Sequence, residues 1–347
     1  TLSGSATNLA AALDGTVTDS LSALITGTVT ITGTDPTPAE LKTINDSVTG
    51  TIVVPDKTAT FTGSAAVLSA ALAGTVQDGA AAALTGAVTV NDSAGDDIAA
   101  TVLSAIGGGT SGTVTVSSAI DITGDTAAVI AALDTESTKV TAATANVVLS
   151  DTPSLTNLKK INDVTSGSIK ILNGAETYSG TALILAAALD GTVTDGSGNA
   201  LTGAMTITGD NPNAAQLNTI NSATTGNVVI PDKTVTLSGT PAVLAAALDG
   251  TVVDGAGAAI TGTVTITDSN PNASQLKTIN DGVAGTVIVP SKTVTLSGSA
   301  ATLVDALAGT VTDGASAKIN GTVTITGDNP NATQLKSIND KVTGAIV

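Results

Sequence analysis

The sequence has 347 residues, of which 42% are apolar and only 1% are aromatic. It contains no cysteine and no histidine, which removes the imidazole base of Ser-His-Asp and Cys-His sites and the usual ligands of zinc, haem and iron–sulfur centres. Acidic residues outnumber basic ones 29 to 12, and the net charge of −17 opposes binding to nucleic acid. The high apolar fraction argues against disorder, yet no apolar run approaches the roughly 18 residues of a membrane span.

Internal repeats dominate the chain. The same sequence motif recurs at intervals of roughly 59 residues. Its opening glycine is found at Gly4, Gly63, Gly124, Gly180, Gly239 and Gly298. Its two halves resemble each other, because TVTLSG and TVTITG are each followed by a predicted helix and a glycine. We therefore predict one continuous array over 1–347, with repeat units at about 1–59, 60–120, 121–176, 177–235, 236–294 and 295–347.

The first helix of each repeat is predicted from its capping residues. The residue after the opening glycine is always a preferred N-cap type, namely Ser5, Ser64, Asp125, Thr181, Thr240 and Ser299. Apolar residues four apart, such as Leu9 and Leu13, then predict a short amphipathic helix. A glycine follows the last turn, as expected for a helix C-terminus, at Gly15, Gly74, Gly191, Gly250 and Gly309.

A second helix is predicted to begin where an N-cap type precedes proline, at Asp35-Pro36, Thr152-Pro153, Asn211-Pro212, Asn270-Pro271 and Asn329-Pro330. Its apolar stripe is exemplified by Leu335, Ile338 and Val342, and a glycine such as Gly50 or Gly285 is expected to close it. An asparagine recurs near its end, at Asn45, Asn162, Asn221, Asn280 and Asn339. This recurrence predicts either a ladder of stacked asparagines or a cap on the helix's own C-terminus.

The strands are predicted from strict alternation of threonine with valine or isoleucine, as in residues 28–32 and 263–267. A unit with two such short helices cannot bury a core alone, whereas stacked copies can. The predicted fold class is therefore α/β: a repeat solenoid of about twelve strand–helix coils, arranged as six double units with stacked parallel β-strands. The alternative is a string of small β-rich or α+β domains.

Two phrases, TVTITGDNPNATQLKSINDKVTG and LAAALDGTVTD, resemble the tandem repeats of very large bacterial, often cyanobacterial, surface proteins of the β-strand-repeat or haemagglutinin-like kind. The resemblance covers nearly the whole chain, and it rests on motifs that are compositional. It implies a cell-surface, adhesive or filament-forming role and supplies no catalytic residues. The scarcity of lysine and the absence of cysteine also suit a secreted or cell-surface protein.

One candidate metal site recurs with the repeat. An aspartate, often followed by glycine, comes after a predicted strand at Asp19, Asp78, Asp195, Asp254 and Asp313. Stacked loops would bring several oxygens together for calcium, whereas a turn aspartate would instead accept hydrogen bonds from nearby backbone amides. Neither the D-x-D-x-D spacing of an EF-hand nor the nonapeptide of calcium β-rolls is present. We predict no other cofactor.

Regular rows of threonine resemble the ice-binding surfaces of some antifreeze proteins, although threonine is also an ordinary strand residue. The segment 91–145 departs from the repeat pattern, so a ligand or assembly contact is first sought there. Val347 ends inside the phrase that Thr1 resumes, which predicts continuation of the array, either in one chain or by stacking of copies.

The sequence predicts a structural extracellular protein, not an enzyme. It is read as a segment of a surface filament, surface layer or adhesin stalk, whose partner is itself, either as a homopolymer or as further repeats. Cell-surface polysaccharide is a second candidate partner. The alternative is a calcium-dependent or surface-binding adhesion module that recognises a glycan or ice. Carboxylates recur with the repeat and do not converge on one place, which argues against a glycosidase.

Overall fold

A computed structural model describes residues 1–15, 17–18, 24–134, 138–232, 234–250, 252–267, 270–289, 294–314, 318–327 and 329–347. Helices alternate with parallel strands throughout these residues, so the predicted α/β class of stacked strand–helix coils is confirmed. The chain divides into two compact units, Thr1–Leu172 and Asn173–Val347. One continuous array over 1–347 stays a prediction.

The first unit has six helices in its described part, namely α1 (Ala6–Leu13), α2 (Pro38–Asp46), α3 (Ala65–Ala71), α4 (Ala100–Gly108), α5 (Thr126–Leu133) and α6 (Leu155–Asn162). Its strands are β1 (Leu2–Gly4), β2 (Val29–Ile31), β3 (Thr51–Val54), β4 (Phe61–Gly63), β5 (Thr75–Asp78), β6 (Val88–Val90), β7 (Asp97–Ala99), β8 (Val114–Val116), β9 (Asp121–Gly124), β10 (Val140–Thr141), β11 (Asn146–Leu149) and β12 (Ile169–Ile171).

The second unit likewise has six described helices, α7 (Ala182–Leu189), α8 (Ala214–Ser222), α9 (Pro241–Leu248), α10 (Ala273–Asp281), α11 (Ala300–Ala306) and α12 (Ala332–Lys341). Its strands are β13 (Tyr178–Thr181), β14 (Val193–Asp195), β15 (Met205–Thr208), β16 (Val228–Ile230), β17 (Leu237–Gly239), β18 (Val252–Asp254), β19 (Thr263–Ile266), β20 (Thr286–Ile288), β21 (Val294–Gly298), β22 (Thr310–Thr312) and β23 (Gly321–Ile325).

Every named strand pair within a unit is parallel. In the first unit the strand orders are β1-β2-β3-β5, β4-β6-β8-β10 and β7-β9-β11-β12. In the second they are β13-β15-β16-β18, β17-β19-β20-β22 and β21-β23. Parallel neighbours need a crossover connection, and here each crossover is one coil of the chain.

The register places equivalent residues opposite each other, so that Val29 lies between Leu2 and Ile52. Val29 and Ile52 are fully buried, whereas the threonines that alternate with them are only partly buried or exposed. The core is therefore aliphatic. The three exceptions, Phe61, Tyr178 and Met205, are all buried in it.

Capping chemistry fixes the first helix of each repeat as predicted. In all six, the side chain after the opening glycine accepts a hydrogen bond from the backbone amide three residues later. The glycines that follow these helices have positive φ, for example +102° at Gly15 and Gly250 and +68° at Gly74, a conformation that glycine tolerates best.

The predicted start of the second helix is wrong by two residues. The N-cap of α2 is Thr37, not Asp35, and the corresponding caps of α8 and α10 are Asn213 and Asn272. The reason is a capping box: Thr37 accepts from the Glu40 amide, and the Glu40 carboxylate accepts from the Thr37 amide. This reciprocal pair satisfies two helix amides at once, which a cap before Pro36 would not do.

The glycines predicted to close the second helix have a different role. The helix α10 ends at Asp281, and Gly285 lies beyond it, where the chain crosses the preceding coil. A Cβ at Gly285 would lie 1.9 Å from the Gly262 carbonyl oxygen, and one at Gly50 would lie 2.3 Å from the Gly27 carbonyl oxygen. These glycines permit close approach of two backbones.

We expect Gly285→Ala to lower the free energy of unfolding by at least about 1–3 kcal/mol, because the added methyl group overlaps a backbone oxygen that cannot move freely. Gly255→Ala is the matched control, since no atom lies within 4 Å of a Cβ there, and it should change stability by less than about 0.5 kcal/mol. Urea unfolding followed by far-UV circular dichroism measures both. Equal stability of the two variants would contradict the close-approach role.

Candidate functional site

The most regular feature of both units is the contact between successive repeats, and its first component is a shared sheet. The strands β1, β2 and β3 of repeat 1–59 are joined by β5, which belongs to the next repeat. In the same way β18 completes the sheet of β13, β15 and β16, and β22 completes that of β17, β19 and β20. Each of these three repeats thus donates one strand to the sheet of the repeat before it.

Helix packing is the second component. The second helix of a repeat lies between two first helices, so that α2 packs against α1 and α3, and α10 packs against α9 and α11. Its central leucine is completely buried, as Leu41, Leu217 and Leu276 show. Helices of two or three turns are marginal alone, so this sandwiching between neighbouring repeats supplies the stability that they lack.

The recurrent asparagine is the third component. Asn45 donates from Nδ2 to the carbonyl oxygens of Ala70 and Ala73, at 2.7 and 2.8 Å, at the end of α3 in the next repeat. Asn221 makes the same two bonds to Ala246 and Asp249. We call this arrangement, an asparagine of one repeat bonded to the last carbonyls of the next repeat's first helix, the asparagine clamp.

The clamp corrects both readings of the recurrent asparagine. Asn45 and Asn221 form no ladder and do not cap their own helix, because their donors reach the helix of the following repeat. A glycine with positive φ lies beside each one: a Cβ at Gly74 would lie 3.9 Å from Asn45 Oδ1, and one at Gly250 would lie 3.6 Å from Asn221 Oδ1, so the left-handed backbone and not the space is what favours glycine there. The sequence shows that the asparagine and the glycine both recur, but it does not show that they are in contact.

Charged groups at the contact are few and mostly local. Lys277 pairs with Asp281 on its own helix and lies 3.7 Å from Asp305 on α11. The hydrogen bond to Asp281 is the main reason that the pKa of Lys277 is raised. Exposed pairs of this kind contribute little to stability, so the contact depends on burial and on the clamp.

The predicted calcium residues serve as turn residues where the structure describes their contacts. Asp78, Asp195 and Asp254 each accept two backbone amide hydrogen bonds through Oδ1, from the residues two and four positions later. These bonds close the loop that follows the donated strand. Asp313 occupies the same position after β22, whereas Asp19 lies outside the described residues.

No group of three or more carboxylates that suits a metal ion occurs in the described part of the chain. Bound calcium at these aspartates therefore stays a prediction. Two clefts on the described helices, of about 430 Å³ beside Leu133 and about 380 Å³ beside Leu189, are open and are each lined by residues of a single repeat. None of the described helices has the length and apolar character to cross a membrane.

A row of threonines crosses one sheet of the first unit. Thr62, Thr89, Thr115 and Thr141 lie opposite one another on β4, β6, β8 and β10. They face away from the buried valines of these strands, and adjacent ones are about 4.8 Å apart, the usual strand spacing. The last two belong to the irregular segment 91–145, which therefore keeps the repeat's strand register. If the protein binds a glycan or ice, as predicted, this threonine row is the surface that would bind it. Such binding stays a prediction.

No protein-family model matches the chain, and comparison with curated proteins gives no match. The resemblance to bacterial surface-protein repeats therefore stays a prediction, and the functional argument depends on the contact between repeats.

We expect Asn45→Ala to lower the free energy of unfolding by about 1–3 kcal/mol, since the variant leaves the carbonyls of Ala70 and Ala73 without their donor. Asn339→Ala is the matched control. Asn339 holds the same place on α12, is exposed, and its side chain makes no hydrogen bond to the described residues, so we expect a change below about 0.5 kcal/mol. Urea unfolding of dilute protein measures the free energy of unfolding of both variants. A larger loss of stability in Asn339→Ala than in Asn45→Ala would contradict the clamp.

The α2 capping box predicts a pH dependence. The Thr37 amide is the main cause of the lowered pKa of Glu40, and the hydroxyls of Thr7 and Thr37 add to it. Ionised Glu40 therefore stabilises the folded state above its ordinary pKa of 4.5, and this stabilisation is lost as the pH falls through the lowered value.

Glu40→Gln should remove the pH-dependent stabilisation and keep the capping box, because Gln216 and Gln275 occupy the same capping-box position in α8 and α10. The measurement is the free energy of unfolding between about pH 3 and 7 for both proteins. The difference between them should shrink on acidification, and a constant difference would contradict the assignment.

Proposed function

We propose that this protein is a structural, extracellular repeat protein that forms part of a surface filament, surface layer or adhesin stalk. The observation that carries the proposal is the contact between successive repeats, in which a donated strand, a sandwiched helix and the asparagine clamp join neighbours in the same way. A protein built from such contacts extends by addition of identical units. Its chemistry is then mechanical, because each added coil buries apolar surface against the previous one.

Charge and composition support an assembled, exposed role. The net charge of −17 opposes indiscriminate lateral association, so acidic filaments remain apart unless specific contacts or divalent cations bridge them. Calcium at the turn aspartates and cell-surface polysaccharide are the partners that we propose besides the protein itself. We propose no catalysis, since the sequence has no histidine or cysteine and its carboxylates recur with the repeat. A calcium-dependent or surface-binding adhesion module stays the alternative.

Electron microscopy of the 347-residue protein, before and after calcium removal with a chelator, tests the proposal. We expect filaments with a regular axial repeat, because the contact between repeats is open-ended. Loss of filaments in chelator would indicate that calcium bridges are needed for assembly. Filaments that persist in chelator would indicate that protein contacts are sufficient. Isolated particles at every concentration and in both conditions would contradict assembly and favour the adhesion-module alternative.

A further inference from the structure

The donated strands β5 and β18 each form the last strand of a sheet. In the described part of the chain, the orders β1-β2-β3-β5 and β13-β15-β16-β18 place no further strand beside them. The outer edge of a last strand presents backbone N–H and C=O groups, which can pair with a strand of another molecule. Strand addition is favoured here, because the sheets are rich in valine, isoleucine and threonine.

The chain after each of these two strands folds back along the outer edge. After β18, the Asp254 amide donates to the Ala258 carbonyl oxygen at 2.8 Å, and Val253 forms an antiparallel bridge with Ala259. The matching contacts after β5 are a 3.0 Å hydrogen bond from the Asp78 amide to the Ala82 carbonyl oxygen and a Gln77–Ala83 bridge. We call the two returning segments the edge straps, which comprise residues 79–83 and 255–259.

The turn aspartate holds the strap against the edge from one end. Asp254 Oδ1 accepts hydrogen bonds from the amides of Ala256 and Ala258, at 2.9 and 2.7 Å, so one carboxylate fixes two amides of the strap. The other end is anchored in the core, because Ile260 is 1% exposed and forms a parallel bridge with Val283. The strap is therefore fixed at both ends while it lies on the edge.

The two straps share a backbone conformation although their sequences differ. Gly257 has a φ of +77°, and Ala81, at the same place in the other strap, has a φ of +61°. A left-handed alanine is disfavoured relative to glycine, because its Cβ crowds the following carbonyl oxygen. The first unit keeps this turn despite that cost, which indicates that the returning chain is needed at the edge.

We propose that the turn aspartates, through the edge straps, protect the outer edges of β5 and β18 against strand addition by a second copy of this chain. A closed strap uses the backbone groups with which an incoming strand would pair, and an open strap exposes them. Edge protection is independent of the proposed assembly function, since it acts at the outer edge of a sheet and not at the contact between successive repeats.

Removal of both aspartates provides the first test. In the 347-residue protein, Asp78→Ala with Asp254→Ala deletes the acceptors that hold the straps. We expect hydrogen-exchange protection of the residue 254 amide, which donates to Ala258, to fall at least about tenfold in dilute protein. At higher concentration the exposed edges should pair, and light scattering and thioflavin T fluorescence should rise above the wild-type values.

Two controls separate the strap from general effects of the substitutions. Asp78→Asn with Asp254→Asn keeps the side-chain oxygen that accepts the amides, so both protection and scattering should stay near the wild-type values. Asp35→Ala with Asp210→Ala removes the same amount of negative charge from exposed positions outside the straps. This second control should scatter no more light than the wild type.

Exchange of glycine and alanine within the straps provides the second test, which keeps every aspartate. No atom lies within 4 Å of a Cβ at Gly257, so Gly257→Ala changes only the backbone preference, and Ala81 shows that the fold accepts alanine there. We expect about tenfold lower protection of the Asp254 amide in Gly257→Ala, and about tenfold higher protection of the Asp78 amide in Ala81→Gly. Lateral association should increase in the first variant only. This pair decides the question if circular dichroism shows that the aspartate variants lose their fold.

Electron microscopy separates lateral pairing from the proposed assembly, because strand addition at a sheet edge widens the particles, whereas addition of repeats lengthens them. Wider particles only in the variants with lowered protection support edge protection. Straps that open without lateral association, straps that stay closed in both Asp254→Ala and Gly257→Ala, or equal association in the charge control would each overturn it. Those results leave the proposed assembly function intact, since that function is judged from the wild-type protein.

Discussion

Everything in this protein depends on parallel pairing between successive coils. A single coil supplies one short strand or two and one helix of two or three turns, which bury almost nothing without neighbours. Pairing in register brings Val29 between Leu2 and Ile52 and makes a continuous aliphatic core from pieces that have none. Within each unit the donated strand extends this pairing past the repeat boundary, so stability is shared between repeats.

Close stacking explains the composition. Backbones that cross at the distances seen for Gly285 and Gly262 leave no room for a Cβ, and the buried face of the first helices is lined by alanines such as Ala247 and Ala306. Larger side chains fit only in a few places, as with Phe61 and Tyr178. The near absence of aromatic residues is thus a packing requirement, and the acidic exterior keeps such a surface in solution.

The asparagine clamp gives the stacking direction and specificity. A helix C-terminus leaves its last carbonyls without partners, and Asn45 supplies donors to those of the following helix and not its own. A leucine of the second helix and an alanine of the next repeat's first helix are buried where these helices pack, as with Leu276 and Ala306. Because the two sides of the contact differ, repeats add in one direction.

The sequence alone determined the repeat length, the α/β class, the first-helix caps and the buried alternation of the strands, since each depends on contacts within a few residues. The tertiary structure decided the rest. Capping at Thr37 was within reach of the sequence, because Glu40 completes its capping box, but the close approach at Gly285 and the target of Asn45 involve atoms of a neighbouring coil. Spacing shows that a residue recurs, and only stacking shows which residue of the next repeat it meets.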